Sequence, residues 1–207
     1  MIKLCVFDFD STLMDGETIT NFAKSVGKEK EVKEITKRAM AGEIDFFESL
    51  QERAMFLKGM KFSDMQKIAQ NLPFVPGAKE LISYLKAKGI TVVVFSGGFH
   101  VATDWAKEVL GFDASFANIL HRKDGVLTGH VGGEMMFGYS KGVVLQQLKA
   151  ILHLSADEVM CVGDGANDVA MFREAGLRIA FCANEILKKE ATYCVDKKDL
   201  REIMQYV

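Results

Sequence analysis

Long apolar runs are missing from this 207-residue chain, and so is an excess of charge of one sign. No apolar stretch approaches the ~20 residues that a membrane-spanning helix needs. The 26 Lys and Arg residues balance 28 Asp and Glu residues, and no basic block stands out along the chain. The formal net charge of -2 therefore indicates neither a nucleic-acid partner nor an anionic membrane surface.

Cysteine and proline are scarce as well. The four cysteines form no C-x-x-C pair, and Cys5, Cys161 and Cys182 lie inside apolar runs, where a free cysteine behaves as a small core residue. We therefore expect reduced structural thiols rather than disulfides or a zinc site. The opening MIKLCVFDFD contains an apolar run too short for a signal-peptide core, and we expect a cytoplasmic protein.

Short β-favouring runs alternate with helical patterns over most of the chain. The runs that predict buried strands are residues 2–7, 90–95, 158–162, 177–182 and 192–195. Helical spacing predicts helices over residues 77–88, 100–110, 140–152, 167–175 and 199–206. Asp124-Gly125 predicts a hairpin turn. The alternation indicates an α/β fold with a mainly parallel sheet that is covered by helices on both faces.

One region interrupts this alternation. From about residue 16 to residue 72, apolar residues recur at helical spacing in four stripes, and no convincing strand is present. The only two prolines of the chain follow directly. We predict a small helical bundle inserted after the first strand, so that residues 15–75 form a cap domain and residues 1–14 and 76–207 form the α/β core.

Polar or glycine-rich turns follow three of the predicted strands. They read Asp8-Phe9-Asp10-Ser11-Thr12, Ser96-Gly97-Gly98, and Gly163-Asp164-Gly165-Ala166-Asn167-Asp168. In open parallel sheets, ligands bind beyond the carboxyl ends of the strands, so the three turns should converge on one edge.

This convergence would bring four carboxylates together, those of Asp8, Asp10, Asp164 and Asp168. Like charges at short range repel each other, so protonation or a cation must relieve them. A few carboxylates combined with water and substrate phosphate suit Mg²⁺.

Groups that favour an anion are predicted beside the carboxylates. Lys141 opens a helix near a fourth strand end. Ser96 and the backbone N–H groups of Gly97, Gly98 and Phe99 precede another helix, whose N-terminus favours negative charge. A metal, a lysine, a hydroxyl and free N–H groups around a carboxylate form a phosphate-binding constellation.

The three turns and Lys141 resemble the four ordered motifs of the haloacid dehalogenase (HAD) superfamily, and within it the chain resembles the phosphoserine phosphatases. The resemblance runs from Leu4 to Tyr206 and includes a helical cap of the C1 type. It implies a HAD-like sheet and Mg²⁺-dependent hydrolysis of O-phospho-L-serine in serine biosynthesis, through an aspartyl-phosphate.

The resemblance also implies roles for individual residues. Asp8 would attack phosphorus, and Asp10 would protonate the leaving oxygen and then activate water. The Asp8 side chain, the Asp10 backbone carbonyl and Asp164 would hold Mg²⁺, with Asp168 behind them or bound through water.

Substrate contacts are implied in the same way. Ser96 and Lys141 would hold phosphoryl oxygens, and Asn167 would help to orient the substrate. In the cap, Glu17 in an E-T-I context and Arg53 in an S-L-x-x-R context would bind the ammonium and carboxylate of phosphoserine. Met40 and Phe46 would line this pocket or belong to the core of the cap.

Several alternatives remain open at this point. The motifs do not separate a hydrolase from an enzyme that passes the phosphoryl group to an alcohol such as homoserine. A capped phosphatase for another small phosphoester also fits, whereas a non-enzymatic Mg²⁺- or phosphate-binding regulator would not need Asp10 as a proton donor. The expected partner is a small molecule, with neither nucleic acid nor membrane, in a monomer or a homodimer.

Overall fold

The computed structural model describes residues 1–40 and 43–207, without the side chain of Met40. Within these residues the chain forms a seven-stranded sheet in the order β4-β3-β2-β1-β5-β6-β7. The strands are β1 Leu4–Asp8, β2 Thr91–Phe99, β3 Ala114–Lys123, β4 Val126–Gly133, β5 Val159–Gly163, β6 Leu177–Phe181 and β7 Tyr193–Val195. All neighbouring pairs are parallel except the hairpin of β3 and β4. The predicted α/β fold is therefore confirmed.

The helices fall into two groups. Four lie between β1 and the rest of the core, and we call them the helical insert: α1 Thr18–Ser25, α2 Glu29–Met40, α3 Phe46–Met55 and α4 Phe62–Ala69. The others follow strands or connect them: α5 Ala78–Ala87, α6 His100–Leu110, α7 Ser140–Leu152, α8 Val169–Phe172 and α9 Glu185–Lys188. None of the helices in the described ranges is both long and apolar enough to cross a membrane.

The central strands carry near-continuous apolar runs because both faces of the sheet are covered. Cys5 and Phe7 of β1 pack into one apolar cluster, whereas Leu4 and Val6 pack into a second cluster on the opposite face. All five residues of β1 are buried. Alternate side chains of a strand point to opposite faces, so a strand that is buried on both sides has no polar alternation to display.

Within the described residues, backbone hydrogen bonds join the helical insert to the core at two places. Its entry and exit run side by side, since Asp15 N–H donates to the carbonyl of Pro73 at 2.8 Å and Val75 N–H donates to that of Leu13 at 2.9 Å. The segment between α3 and α4 also pairs with β4. There, Gly59 N–H donates to the Leu127 carbonyl, and Leu127 N–H donates to the Met60 carbonyl, both at 2.9 Å. Backbone pairing therefore holds α3 next to the core.

Three local predictions need correction. The predicted helix over residues 167–175 begins as a 3-10 turn, Ala166–Asp168, and the last predicted helix is a 3-10 helix, Leu200–Tyr206. Helix α9 was not predicted, because its four residues are too few for a helical period to show. Cys182 is exposed rather than part of the core, since β6 ends one residue earlier and the backbone turns there with φ 46°. All four cysteines are free.

We expect Ile82→Ala in α5 to lower the free energy of unfolding by about 2–5 kcal/mol. Ile82 is fully buried against the sheet, so the substitution removes burial and leaves a cavity. Urea denaturation measures the effect. Lys79→Ala on the exposed face of the same helix is the control and should stay within about 0.5 kcal/mol of the parent protein. Equal midpoints for the two variants would contradict the assignment of this helix face to the core.

Candidate active site

The loop after β1, the carboxyl-terminal end of β2 and the loop after β5 are adjacent because these strands are neighbours in the sheet. They border a cavity of about 540 Å³ that residues of the helical insert also line. Of the residues singled out in the sequence, the following line this cavity: Asp8, Asp10, Glu17, Phe46, Arg53, Gly97, Gly98, Asp164 and Asn167. Ser96, Lys141 and Asp168 are buried beneath its wall. The side chain of Met40, predicted to line the pocket, lies outside the described residues.

Lys141 connects two of the carboxylates. Its ammonium donates to Oδ1 of Asp8 and, at 2.6 Å, to Oδ1 of Asp168. Burial by itself lowers the pKa of Lys141, but the charges of Asp168 and Asp8 outweigh burial and raise the pKa above its ordinary value. Gly142, the next residue of α7, allows α7 to approach α8 closely, because a Cβ on Gly142 would lie 2.8 Å from the carbonyl oxygen of Ala170 in α8. The ammonium form of Lys141 is therefore favoured beside the Asp8 carboxylate.

Asp168 holds the loop after β5 in place. Its Oδ2 accepts hydrogen bonds from the backbone N–H groups of Asp164 at 3.1 Å and Gly165 at 3.0 Å, while Oδ1 accepts from Lys141. Asp168 is fully buried. A carboxylate with this many donors is already satisfied, so the structure places Asp168 where it orients its neighbours.

Asp164 accepts fewer hydrogen bonds from the described residues than Asp168 does. In the described chain its carboxylate accepts one long hydrogen bond, from Thr12 Oγ1 at 3.4 Å. Burial, followed by the charge of Asp8, raises the pKa of Asp164 to about 9. Burial and the charge of Asp168 likewise raise the pKa of Asp8 to about 7. Carboxylate oxygens of Asp8, Asp164 and Asp168 lie within 4.8 Å of one another. This cluster of hard oxygen ligands fits a divalent metal ion.

The two carboxylate oxygens of Asp10 differ: within the described residues, Oδ1 accepts hydrogen bonds and Oδ2 accepts none. Its Oδ1 accepts the N–H of Thr18 at 2.7 Å and the Thr18 hydroxyl at 2.5 Å. Its Oδ2 faces Gly98, where a Cβ would come within 2.9 Å of it. Burial and the charge of Glu17 raise the pKa of Asp10 to about 7. The raised pKa favours the protonated form of Asp10, and within the described residues Oδ2 accepts no hydrogen bond. Thr18 was not singled out in the sequence.

The carboxyl-terminal end of β2 closes another side of the cavity. Residues 96–98 were predicted as a turn after the strand, but they belong to β2, which continues to Phe99 and is followed directly by α6. Gly98 N–H donates to the hydroxyl oxygen of buried Ser96 at 2.9 Å. The side chain of Phe46 packs against Gly97, since a Cβ on Gly97 would lie 2.8 Å from the Phe46 ring. Both glycines therefore allow a close approach, one toward Asp10 and the other toward the helical insert.

The helical insert contributes one basic and one acidic group to the cavity. Arg53 is 8% exposed, and it donates through Nε to the Ser49 carbonyl at 3.1 Å and through Nη1 to Thr36 Oγ1 at 3.3 Å. Burial lowers the pKa of Arg53 and raises that of Glu17, whose carboxylate also feels the charge of Asp8. Glu17 accepts a hydrogen bond from Ser11 Oγ at 3.3 Å. Among the described residues these two charges form no salt bridge with each other.

Comparison with known proteins agrees with this geometry. The model of the haloacid dehalogenase-like hydrolase family matches residues 2–176. The chain belongs to the haloacid dehalogenase-like hydrolase family. It is 59% identical over 207 residues to a phosphoserine phosphatase of Campylobacter jejuni subsp. doylei, with 100% of both chains covered.

Solved structures lead to the same family. One is a phospho-aspartyl intermediate analogue of phosphoserine phosphatase, with a TM-score of 0.94, 47% identity, and coverage of 100% of this chain and 99% of that one. A substrate-bound phosphoserine phosphatase complex matches with a TM-score of 0.95, 46% identity and the same coverage. The predicted superfamily, fold and hydrolase class are thereby confirmed for this haloacid dehalogenase-like hydrolase.

The carboxylate cluster predicts an unusual dependence of stability on pH. The raised pKa values of Asp8, Asp10 and Asp164 mean that the folded protein keeps protons that the unfolded chain loses near pH 4. Without a divalent ion, the free energy of unfolding should therefore fall as pH rises from about 5 to about 9. A bound cation replaces these protons, so Mg²⁺ should raise Tm more at about pH 8.5 than at about pH 5.5.

Thermal denaturation with and without Mg²⁺ at both pH values measures this effect. Asp164→Asn should weaken both the pH slope and the Mg²⁺ shift, because it removes the carboxyl with the highest of these pKa values. Asp64→Asn on an exposed face of α4 serves as the control and should change neither. Equal Mg²⁺ shifts at both pH values in the parent protein would refute a metal site built from these carboxylates.

Proposed function

We propose that this hydrolase cleaves O-phospho-L-serine to L-serine and phosphate with Mg²⁺, as a step of serine biosynthesis. In this proposal residues 15–75 act as the cap and residues 1–14 and 76–207 as the catalytic core. One observation supports the assignment of this substrate: Arg53 and Glu17 border the same cavity as Asp8. In that cavity, Arg53 offers a positive charge to the carboxylate of an amino acid and Glu17 offers a negative charge to its ammonium. Asp8 offers a nucleophile to the phosphate of the same ligand.

The Asp8 carboxylate attacks phosphorus in the first step. The bond from phosphorus to the seryl oxygen breaks, and Asp10 gives its proton to that oxygen. Two properties of Asp10 support this role: its pKa is raised to about 7, and Thr18 occupies Oδ1, which leaves Oδ2 toward the cavity. In the second step, Asp10 takes a proton from water as the water attacks phosphorus, and Asp8 is released.

Charge neutralisation accounts for the other residues of the core. Lys141 favours the ionised form of Asp8 and offers a positive charge to phosphoryl oxygens. The Asp8 and Asp164 carboxylates and the Asp10 carbonyl would hold Mg²⁺, which stabilises negative charge on the transferring phosphoryl group. Ser96 and the Gly98 backbone would bind the phosphoryl oxygens, and Asn167 at the cavity wall would help to orient the ester.

Arg53 is well suited to bind the substrate carboxylate. The Ser49 carbonyl and the Thr36 hydroxyl fix its guanidinium through Nε and Nη1, while Nη2 donates to no group in the described chain. Glu17, near the first loop, would accept the substrate ammonium. A guanidinium held in this way loses little freedom when a carboxylate binds it, and this favours a ligand with the charges of an amino acid.

Asp8→Asn should abolish turnover, because an amide cannot form the phosphoenzyme, and we expect kcat to fall by at least about 10³-fold. Rapid acid quench after mixing with ³²P-phosphoserine should trap label on the parent protein and none on the variant. Asp15→Asn, an exposed neighbour on the same loop, is the control and should keep both label and turnover. Product formation without trapped label in the parent would contradict an aspartyl-phosphate mechanism.

Arg53→Ala should lower kcat/KM for phosphoserine by about 30-fold or more, because the substrate carboxylate loses a buried charged partner. p-Nitrophenyl phosphate, which lacks that carboxylate, should lose much less. Arg38→Ala on α2, at an exposed pair with Glu43, is the matched control. Equal losses on both substrates would show that Arg53 supports the fold and not selectivity.

A phosphate-release assay with and without homoserine distinguishes hydrolysis from transfer to an alcohol.

A further inference from the structure

The pairing of β2 with β3 is interrupted near the end of β2 that borders the cavity. Phe95 pairs with Phe116, and the next pair is Phe99 with Asn118. Three residues of β2, residues 96–98, therefore face a single residue of β3. Such a bulge frees backbone groups from the ladder, and those groups need another partner.

Asn118 supplies that partner. Its side chain is fully buried, and its amide nitrogen donates to the Gly97 carbonyl at 3.1 Å and to the Met135 carbonyl at 3.0 Å. Its side-chain oxygen accepts the Met135 N–H at 3.0 Å. One buried side chain thus connects the bulge of β2 to the segment that leads into α7 and Lys141.

The bond to Gly97 determines which way the next N–H points. In a trans peptide the C=O and the following N–H point in opposite directions. Because the Gly97 carbonyl points toward Asn118, the Gly98 N–H points the other way, toward Ser96 Oγ at 2.9 Å. The Ser96 oxygen accepts this hydrogen bond, so its own hydrogen remains available to an oxygen in the cavity.

A peptide between two glycines needs such an anchor. Glycine adopts both signs of φ at little cost, so the two glycines do not by themselves fix the orientation of the 97–98 peptide. A rotated peptide would direct the Gly97 carbonyl oxygen toward Ser96 Oγ, and the Ser96 hydroxyl would then donate to that carbonyl and not to a phosphoryl oxygen. A buried amide that donates to that carbonyl opposes the rotation.

We propose that Asn118 is a positioning residue for phosphoryl binding: it holds the Gly97–Gly98 peptide in the orientation in which the Gly98 N–H donates to Ser96 Oγ, and this leaves the hydrogen of the Ser96 hydroxyl for a phosphoryl oxygen. The inference rests on the proposed function only in placing a phosphoryl group beside the bulge of β2. Asn118 acts through its neighbours, and it does not touch the cavity.

The test compares the two ends of the substrate site in the full chain with Mg²⁺. For Asn118→Ala we measure inhibition constants for orthovanadate and inorganic phosphate, and separately for L-serine, with p-nitrophenyl phosphate as the substrate. Orthovanadate and phosphate should bind at least about tenfold more weakly, because hydrogen bonds to a charged ligand lose their alignment. Inhibition by L-serine, which reports the Arg53 end of the cavity, should stay within about twofold.

Asp113→Ala is the matched control. Asp113 also fixes the β2 backbone, accepting the Val92 N–H at 2.8 Å, but at the opposite end of the strand. It should lower Tm without changing the orthovanadate constant. Inhibition constants within twofold of the parent in folded Asn118→Ala, or equal weakening of orthovanadate and L-serine, would overturn the positioning role. Arg53→Ala should give the reverse pattern, so a failure of the proposed substrate is distinguishable from a failure of this inference.

A measurement on the parent protein covers the case in which Asn118→Ala does not fold. In ¹⁵N-labelled protein with Mg²⁺, addition of beryllium fluoride or phosphate should shift the Gly98 amide resonance and the Asn118 side-chain NH₂ resonances together. Unshifted resonances at saturating ligand would overturn the inference.

Discussion

Repulsion among buried carboxylates is the constraint on which this site depends. Asp8, Asp10 and Asp164 lose hydration at the end of the central strands, and their mutual repulsion adds to the cost of keeping them ionised. Lys141 relieves part of this cost through Asp8 and Asp168. The negative charge that remains must be met by protons or by a divalent cation, so the same imbalance that costs stability prepares the site for a metal and for a proton donor.

Parallel strands deliver these charges to one place, and the helical insert limits what can reach them. The loop after β1, the end of β2 and the loop after β5 meet because the strands are neighbours, and this is a consequence of topology rather than of any local sequence. Helix α3 lies over the cavity because the segment after it pairs with β4. Helix α3 and strand β4 are in close contact at Gly129, since a Cβ on Gly129 would lie 2.8 Å from Met55 Sδ. The guanidinium of Arg53 is therefore held by a helix that is itself anchored to the core.

The sequence was informative where chemistry requires particular residue types at short spacing. The ordered motifs around Asp8, Ser96, Lys141 and Asp164 predicted the family, the fold and the edge of the sheet at which the site lies. Thr18 and Asn118 were not found, for a common reason. Each acts through one or two hydrogen bonds to a residue that is distant along the chain or in another element. A threonine in a helix and an asparagine in a strand carry no pattern that separates such a role from ordinary packing.

By itself, the sequence determined the alternation of strands and helices, the place of the helical insert and the identity of the charged groups, because periodicity and short motifs are local properties. The tertiary structure decided which of those groups contact the same lysine, and which oxygen of Asp10 accepts the hydrogen bonds of Thr18. It also showed that Asp168 is engaged by its neighbours, whereas Asp164 is left with a single long hydrogen bond in the described chain. These outcomes depend on burial and on distances of a few ångströms between segments far apart in the chain, which only the folded arrangement sets.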